Sequence, residues 1–134
     1  MMDVTTSAHA AALWSGLLLL LMLVLSLLVV RQRSKHEVML GDDGVPELAR
    51  ASRAFGNAAE YAPAGMAALA VLALVQASPA VLHIIGAVLF VGRVAHAIGL
   101  SLTGGPSIGR VIGMIATWLA FIFAGVALLF YAIG

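Results

Sequence analysis

The chain has no cysteine, which excludes disulfides and thiolate metal ligands and leaves the redox compartment unspecified. Charge is almost as scarce. Only 10% of its residues are Asp, Glu, Lys or Arg and 63% are hydrophobic, whereas an ordinary soluble domain carries about 25% charge. A soluble globular fold is excluded, and residues 1–134 read as a single small membrane domain. No Lys or Arg precedes the first apolar run, so the basic n-region of a cleaved secretory signal is missing and the first span is expected to remain as an anchor. His9, His36 and His83 are scattered over different elements, so no metal site is expected. Nothing in the sequence points to nucleic-acid binding.

What the chain does have is length of apolar sequence. Ala10 to Val30 is 21 residues without a charge, enough to cross about 30 Å of hydrocarbon as a helix. Three further apolar segments follow, which predicts an all-α, four-transmembrane-helix bundle with helices at about 10–30, 48–77, 80–102 and 107–133. Ser78-Pro79 and the run Thr103-Gly104-Gly105-Pro106-Ser107 break the later helices from one another. In the polar loop between the first two, Gly41-Asp42-Asp43-Gly44 reads as a turn and Pro46 suits a helix start.

The basic residues are one-sided. Arg31, Arg33, Lys35, Arg50, Arg53, Arg93 and Arg110 all lie in the 31–53 and 103–110 regions or in the helix halves next to them. The positive-inside rule makes this side cytoplasmic, which puts the 31–50 loop inside and both termini outside, in the periplasm if the membrane is the bacterial inner membrane that the resemblance described below implies.

Counting about 20 residues from the outer ends brings the polar groups of three helices to one depth, near the cytoplasmic edge of the hydrocarbon. Arg53, Asn57, Glu60 and Tyr61 are spaced i, i+4, i+7 and i+8 on one stripe, and Arg93 and His96 form a second. A Glu60–Arg93 bridge would tie the second and third helices together with no ligand. However, the layer holds more cation than one carboxylate neutralises, and an unpaired charge at membrane depth costs at least about 2.5 kcal/mol. A further anion is implied, either lipid phosphate or a small ligand.

The same residues carry a resemblance. RAFGNAAEYAP, residues 53–63, resembles the R-A-x-x-N-x-x-E-Y-x-P signature of the membrane-associated proteins in eicosanoid and glutathione metabolism (MAPEG). GRVAHAIGL, residues 92–100, is similar to that family's third-helix motif, and Arg110 falls where the family has an arginine at the start of helix four. The closest likeness is to the small bacterial members. The resemblance implies a homotrimer that binds glutathione as co-substrate between subunits near the cytoplasmic face, with a hydrophobic substrate arriving from the membrane lipids. The implied activity is that of a glutathione S-transferase or glutathione-dependent peroxidase. Carried over by position, Arg53 holds a glutathione carboxylate, Asn57 and Glu60 bond its polar backbone and ammonium, and Tyr61 packs beside them. Arg93 and His96 support the pocket floor, Arg110 stabilises the thiolate as the catalytic residue, and Arg31 or Arg33 completes the site from the adjoining subunit.

The sequence departs from the family at the thiol end. Leu100 stands where the eicosanoid synthases have a tyrosine, and Val111 and Met114 replace polar or aromatic residues. Gly56 replaces a side chain that some relatives use as a further basic contact. The competing reading is a non-catalytic inner-membrane protein whose basic layer holds an anionic lipid headgroup. A small proton-coupled exporter is disfavoured, because it needs a carboxylate deep in the first helix and this span has none.

The orientation is directly testable. A periplasm-active reporter fused after Gly134 is expected to be active, and activity of a cytoplasm-dependent reporter at the same position would invert the topology.

Overall fold

A computed structural model describes residues 4–134 as four antiparallel helices: α1 (Val4–His36), α2 (Pro46–Leu74), α3 (Pro79–Leu102) and α4 (Ile108–Ile133). All four are long and apolar enough to cross a membrane. Pro46 and Pro79 open α2 and α3 at the first helical turn, where a missing N–H costs nothing. In the α1–α2 loop, Gly41, Asp43 and Gly44 take positive φ, and Asp42 Oδ1 accepts a 3.0 Å bond from the Gly44 N–H.

Three helix ends differ from the sequence expectation, the first being the start of α1, at Val4 rather than about residue 10. α1 continues six residues past Val30, because nothing in Arg31–His36 breaks a helix. It stops at Glu37, which has φ of 56° and lets Val38 N–H bond back to Arg33 O at 3.1 Å. α2 ends at Leu74, three residues short of the expected 77. There Gln76 has φ of 59°, Ala77 N–H bonds Leu72 O at 2.9 Å, and Gln76 N–H bonds Ala73 O at 3.1 Å. Both are left-handed helix caps, a conformation that usually takes glycine. With Glu and Gln in those places the sequence carried no stop signal.

The central pair is α2 and α3. α1 packs against both on one side and α4 packs against both on the other, while α1 and α4 do not touch among the described residues. Small side chains set how closely the helices approach, since lipid provides no hydrophobic drive to bring them together. α2 buries Ala54, Ala58, Ala62 and Gly65 along one face. α3 and α4 meet backbone to backbone, so that a Cβ on Gly113 would lie 2.5 Å from Gly92 O and 2.6 Å from His96 N. Gly86 leaves room for the Trp14 ring of α1, which also donates from Nε1 to His83 Nδ1 at 3.1 Å.

The end that carries the chain termini is pinned by polar contacts. Ser7 Oγ donates to Ala77 O at 2.7 Å, and Ser78 N–H donates to the Tyr131 hydroxyl at 3.1 Å. These bonds hold α1 and α4 to the α2–α3 turn, so the α1–α2 and α3–α4 connections lie together at the opposite end. That opposite end carries the arginines. The outer faces of α1 and α4 remain apolar, as in Leu20, Leu23 and Leu27 or Ile115, Leu119 and Ile122. Such faces suit contact with lipid or with another membrane helix.

The α3–α4 contact yields a paired prediction. Gly113→Ala is expected to lower the thermal stability of the detergent-purified protein by about 1–3 kcal/mol through overpacking. Gly125→Ala, at a position with nothing within 4 Å, is expected to leave stability unchanged or raise it slightly. Equal melting behaviour in the two variants would refute the close approach.

Candidate functional site: an arginine-lined cleft at the loop end

The site starts from the register of α2. Arg50, Arg53 and Asn57 fall at i, i+3 and i+7 and share one face near the N-terminal end of this helix. The glycine contact between α3 and α4 brings the start of α4, with Arg110, against the end of α3, with His96 and Leu100. The Thr103–Ser107 loop closes the top. These elements enclose a cleft of about 260 Å³ lined by Arg50, Arg53, Asn57, His96, Leu100 and Arg110 among others. Three guanidinium groups line it and no carboxylate does.

A second and larger cavity, about 660 Å³, adjoins the first. It shares His96, Gly104 and Arg110 with the cleft and continues along α4 over Val111, Met114, Ile115 and Trp118. One space is cationic and the other apolar, with His96 and Arg110 at the junction.

Arg93 stands apart from the other arginines. It is only 1% exposed. Its Nε donates to Thr117 Oγ1 at 2.8 Å, Nη1 to Asn57 Oδ1 at 2.5 Å and Nη2 to Gly113 O at 3.3 Å. Nη2 also lies 3.4 Å from Met114 Sδ, and the guanidinium carbon sits 5.0 Å from the centroid of the Tyr61 ring. Every partner is neutral. A buried charge must be hydrogen-bonded when it is not paired, and here α2 and α4 supply the acceptors to an arginine on α3. Thr117 contributes twice, since its hydroxyl also donates to Gly113 O at 2.8 Å.

This cage has a consequence for Asn57. Only its carboxamide oxygen can accept from a guanidinium, so the bond to Arg93 fixes which way the amide points and leaves its NH₂ as a free donor at the cleft. Tyr61 lies one turn deeper, beneath Arg93 and against Phe121 at a centroid distance of 5.9 Å. It supports the site from below.

The Glu60–Arg93 bridge weighed from the sequence does not form. Glu60 lies on the outward face of α2 and pairs instead with Arg53, Oε1 to Nη1, at 3.6 Å. Both side chains are more than half exposed. The rotation of α2 explains this, since the face turned towards Arg93 carries Asn57.

Arg110 clasps the α3–α4 loop. Its Nη1 donates to Gly105 O at 2.7 Å and its backbone N–H bonds Ser107 Oγ, the N-cap of α4, at 3.3 Å. It still lines both cavities. Arg33 is used in the α1–α2 loop, where Nη1 donates to Gly41 O at 2.9 Å, and Arg31 is exposed on α1. Neither lines the cleft of its own subunit.

The structure therefore brings Arg53, Asn57, His96 and Arg110 around one cleft and places Arg93 and Tyr61 in its floor. Glu60 stands outside beside Arg53. Sequence reasoning missed two contributors. Arg50 was legible from its register with Arg53 and Asn57, whereas Thr117 had no signal, being one threonine in an apolar helix.

Comparison with known proteins finds relatives that match most of the chain. A family model described as "MAPEG family" matches residues 11–130. The chain is 36% identical over 121 residues to "Inner membrane protein YecN" of Escherichia coli (strain K12), an alignment that covers 90% of this chain and 91% of that protein. The protein of the same name from Escherichia coli O6:H1 (strain CFT073) matches with the same figures.

The two classes of arginine separate experimentally. Arg93→Lys removes the planar fork that ties α3 to α2 and α4, and it is expected to destabilise the fold by roughly 2 kcal/mol or more. Arg53→Ala is expected to leave thermal stability nearly unchanged, because its only ion-pair partner is exposed. Comparable losses in the two variants, measured by thermal unfolding in detergent, would contradict the assignment of Arg93 to the scaffold and Arg53 to the cleft.

Proposed function

This chain belongs to the MAPEG family, and from that we propose that it is a glutathione-dependent enzyme of the bacterial inner membrane, acting as a transferase or peroxidase on hydrophobic substrates. The observation that carries the reading is the pairing of two spaces: a cleft with three guanidinium groups and no carboxylate, opening beside a larger apolar cavity. Glutathione is a polar thiol with two carboxylates, which suit arginine forks, and one ammonium, which suits a carboxylate. Arg53 takes a carboxylate, the free NH₂ of Asn57 bonds the peptide backbone, and Glu60 receives the ammonium. Arg93, His96 and Tyr61 hold the floor.

A homotrimer fits the exposed groups. Arg53 and Glu60 form an outward-facing ion pair at the edge of the hydrocarbon, where contact with lipid is costly. A neighbouring subunit covers them and brings Arg31 or Arg33 from the end of its α1. The relative's name, an inner membrane protein, supports the same membrane here, and the one-sided arginines put the 31–50 loop in the cytoplasm and both termini in the periplasm.

The chemistry divides between the two spaces. The bound thiol loses its proton to water, and Arg110 at the junction stabilises the thiolate, since a nearby cation lowers a thiol pKa from about 8.5. The sulfur attacks an electrophilic carbon held in the apolar cavity, the S–C bond forms, and the leaving group departs with its electron pair. In peroxide reduction the thiolate takes the terminal peroxide oxygen and the alkoxide leaves. A second glutathione then displaces water from the sulfenic acid to give the disulfide.

A second reading rests on the apolar surroundings of Arg110. With Leu100, Val111 and Met114 around it, the junction equally accepts an anionic lipid whose acyl chain lies along α4.

Thiolate absorbance followed against pH separates the two. Arg110→Ala is expected to raise the apparent thiol pKa of bound glutathione by about one unit or more, equivalent to ~1.4 kcal/mol of charge stabilisation. Affinity for S-methylglutathione is expected to change much less, because that sulfur carries no ionisable proton. If the wild-type complex forms no thiolate below pH 8, or the variant titrates identically, the cleft is a binding site for an anion and the lipid reading takes precedence.

A further inference from the structure

Arg50 is the cleft guanidinium that neither the helix-two signature nor any hydrogen bond among the described residues explains. Its nearest carboxylate is Glu47, at 4.0 Å, and its Nε is buried without a partner. The side chain is about one-third exposed and lines the same cleft as Arg53, one turn away. Arg53 behaves differently. Its Nη1 lies beside Gly56, 3.8 Å from where a Cβ would stand, and it leans along the helix to Glu60. Both guanidiniums thus have a carboxylate near the limit of ion-pair distance, but only Arg50 keeps a buried N–H without a partner.

The other cations of the cleft are already committed. Arg93 is enclosed by neutral acceptors on α2 and α4. Arg110 is tied to Gly105 O and stands at the junction with the apolar cavity, where the sulfur is assigned. Within one subunit, a ligand with two carboxylates therefore meets Arg53 and has one carboxylate left over. By helix rise Arg50 stands about 15 Å beyond Glu60 along α2, at the aqueous edge, where a polar ligand end reaches it from water.

We propose that Arg50 is an anion-binding residue of this cleft, which takes the second carboxylate of the bound thiol peptide and makes the site selective for dianionic over monoanionic ligands. This rests on the glutathione reading above. The guanidinium fork suits a carboxylate or phosphate oxygen pair equally.

Calorimetry on the full-length protein in detergent tests it, with three ligands: glutathione, glutathione with the glycine carboxylate converted to an amide, and glutathione with the γ-glutamyl α-carboxylate converted to an amide. Arg50→Gln is expected to weaken glutathione about tenfold or more, as loss of a charge-assisted contact does. One of the two amides is expected to respond less than about threefold, since it already lacks the group that Arg50 reads. Arg50→Lys, which keeps the charge and loses the fork, is expected to fall between. No loss for glutathione, or the same loss for all three ligands, overturns the proposal, and the second outcome also covers a variant that is merely misfolded. If the wild type binds no glutathione but binds inorganic pyrophosphate, and Arg50→Gln weakens that about tenfold, the anion role of Arg50 stands with a phosphate ligand and the glutathione reading fails. If the wild type binds neither, both fail.

Discussion

The buried guanidinium of Arg93 is the interaction on which the rest of the structure depends. A charge at the centre of a membrane bundle needs either a counter-ion or a full set of acceptors. Here α2 supplies Asn57, α4 supplies Thr117 and the Gly113 carbonyl, and Tyr61 offers its ring face. The acceptors come from two different helices, so satisfying Arg93 fixes the rotation of α2 and α4 against α3. Absence of glycine at 113 would break this in two ways, since the added Cβ fills the contact and moves the carbonyl that Arg93 uses.

Function follows from that neutral cage. Had Arg93 paired with Glu60, both charges would have been consumed inside the subunit and Asn57 would have been free to turn. Instead the cage is electrically complete without a carboxylate, Glu60 stays at the outer face with Arg53, and the amide of Asn57 is aimed. The remaining arginines are left to face the cleft. A cationic cleft is created by satisfying one arginine with dipoles so that the others keep their charge. The glycine-mediated approach of α3 and α4 adds the second half, because it sets Arg110 and His96 where the cationic cleft meets the apolar cavity.

Much of this was legible in the sequence, and the failures have physical causes. The four spans, the loop prolines, the Gly41–Gly44 turn and the stripe of Arg53 and Asn57 all follow from composition and from periods of 3.6 residues. The end of α2 was misplaced because Gln76 adopts a left-handed cap that sequence rules reserve for glycine. The Glu60–Arg93 bridge was a reasonable pairing of opposite charges at one depth, yet depth says nothing about facing. Glu60 lies three positions after Asn57 and so about 60° around the helix axis from it, enough at the edge of the packed face to put one outside the bundle and the other against Arg93.

The sequence by itself determined that this is an integral membrane protein of four helices with its basic residues gathered at one end, because hydropathy and charge are properties of local segments. It also determined which residues share a helix face. Only the tertiary structure decided which faces meet: Arg93 with Asn57, Thr117 and Gly113, Arg110 with the Gly105 carbonyl, and Arg50 with the cleft. The rotation of each helix about its own axis is set by small-residue contacts between distant segments. No local pattern encodes it.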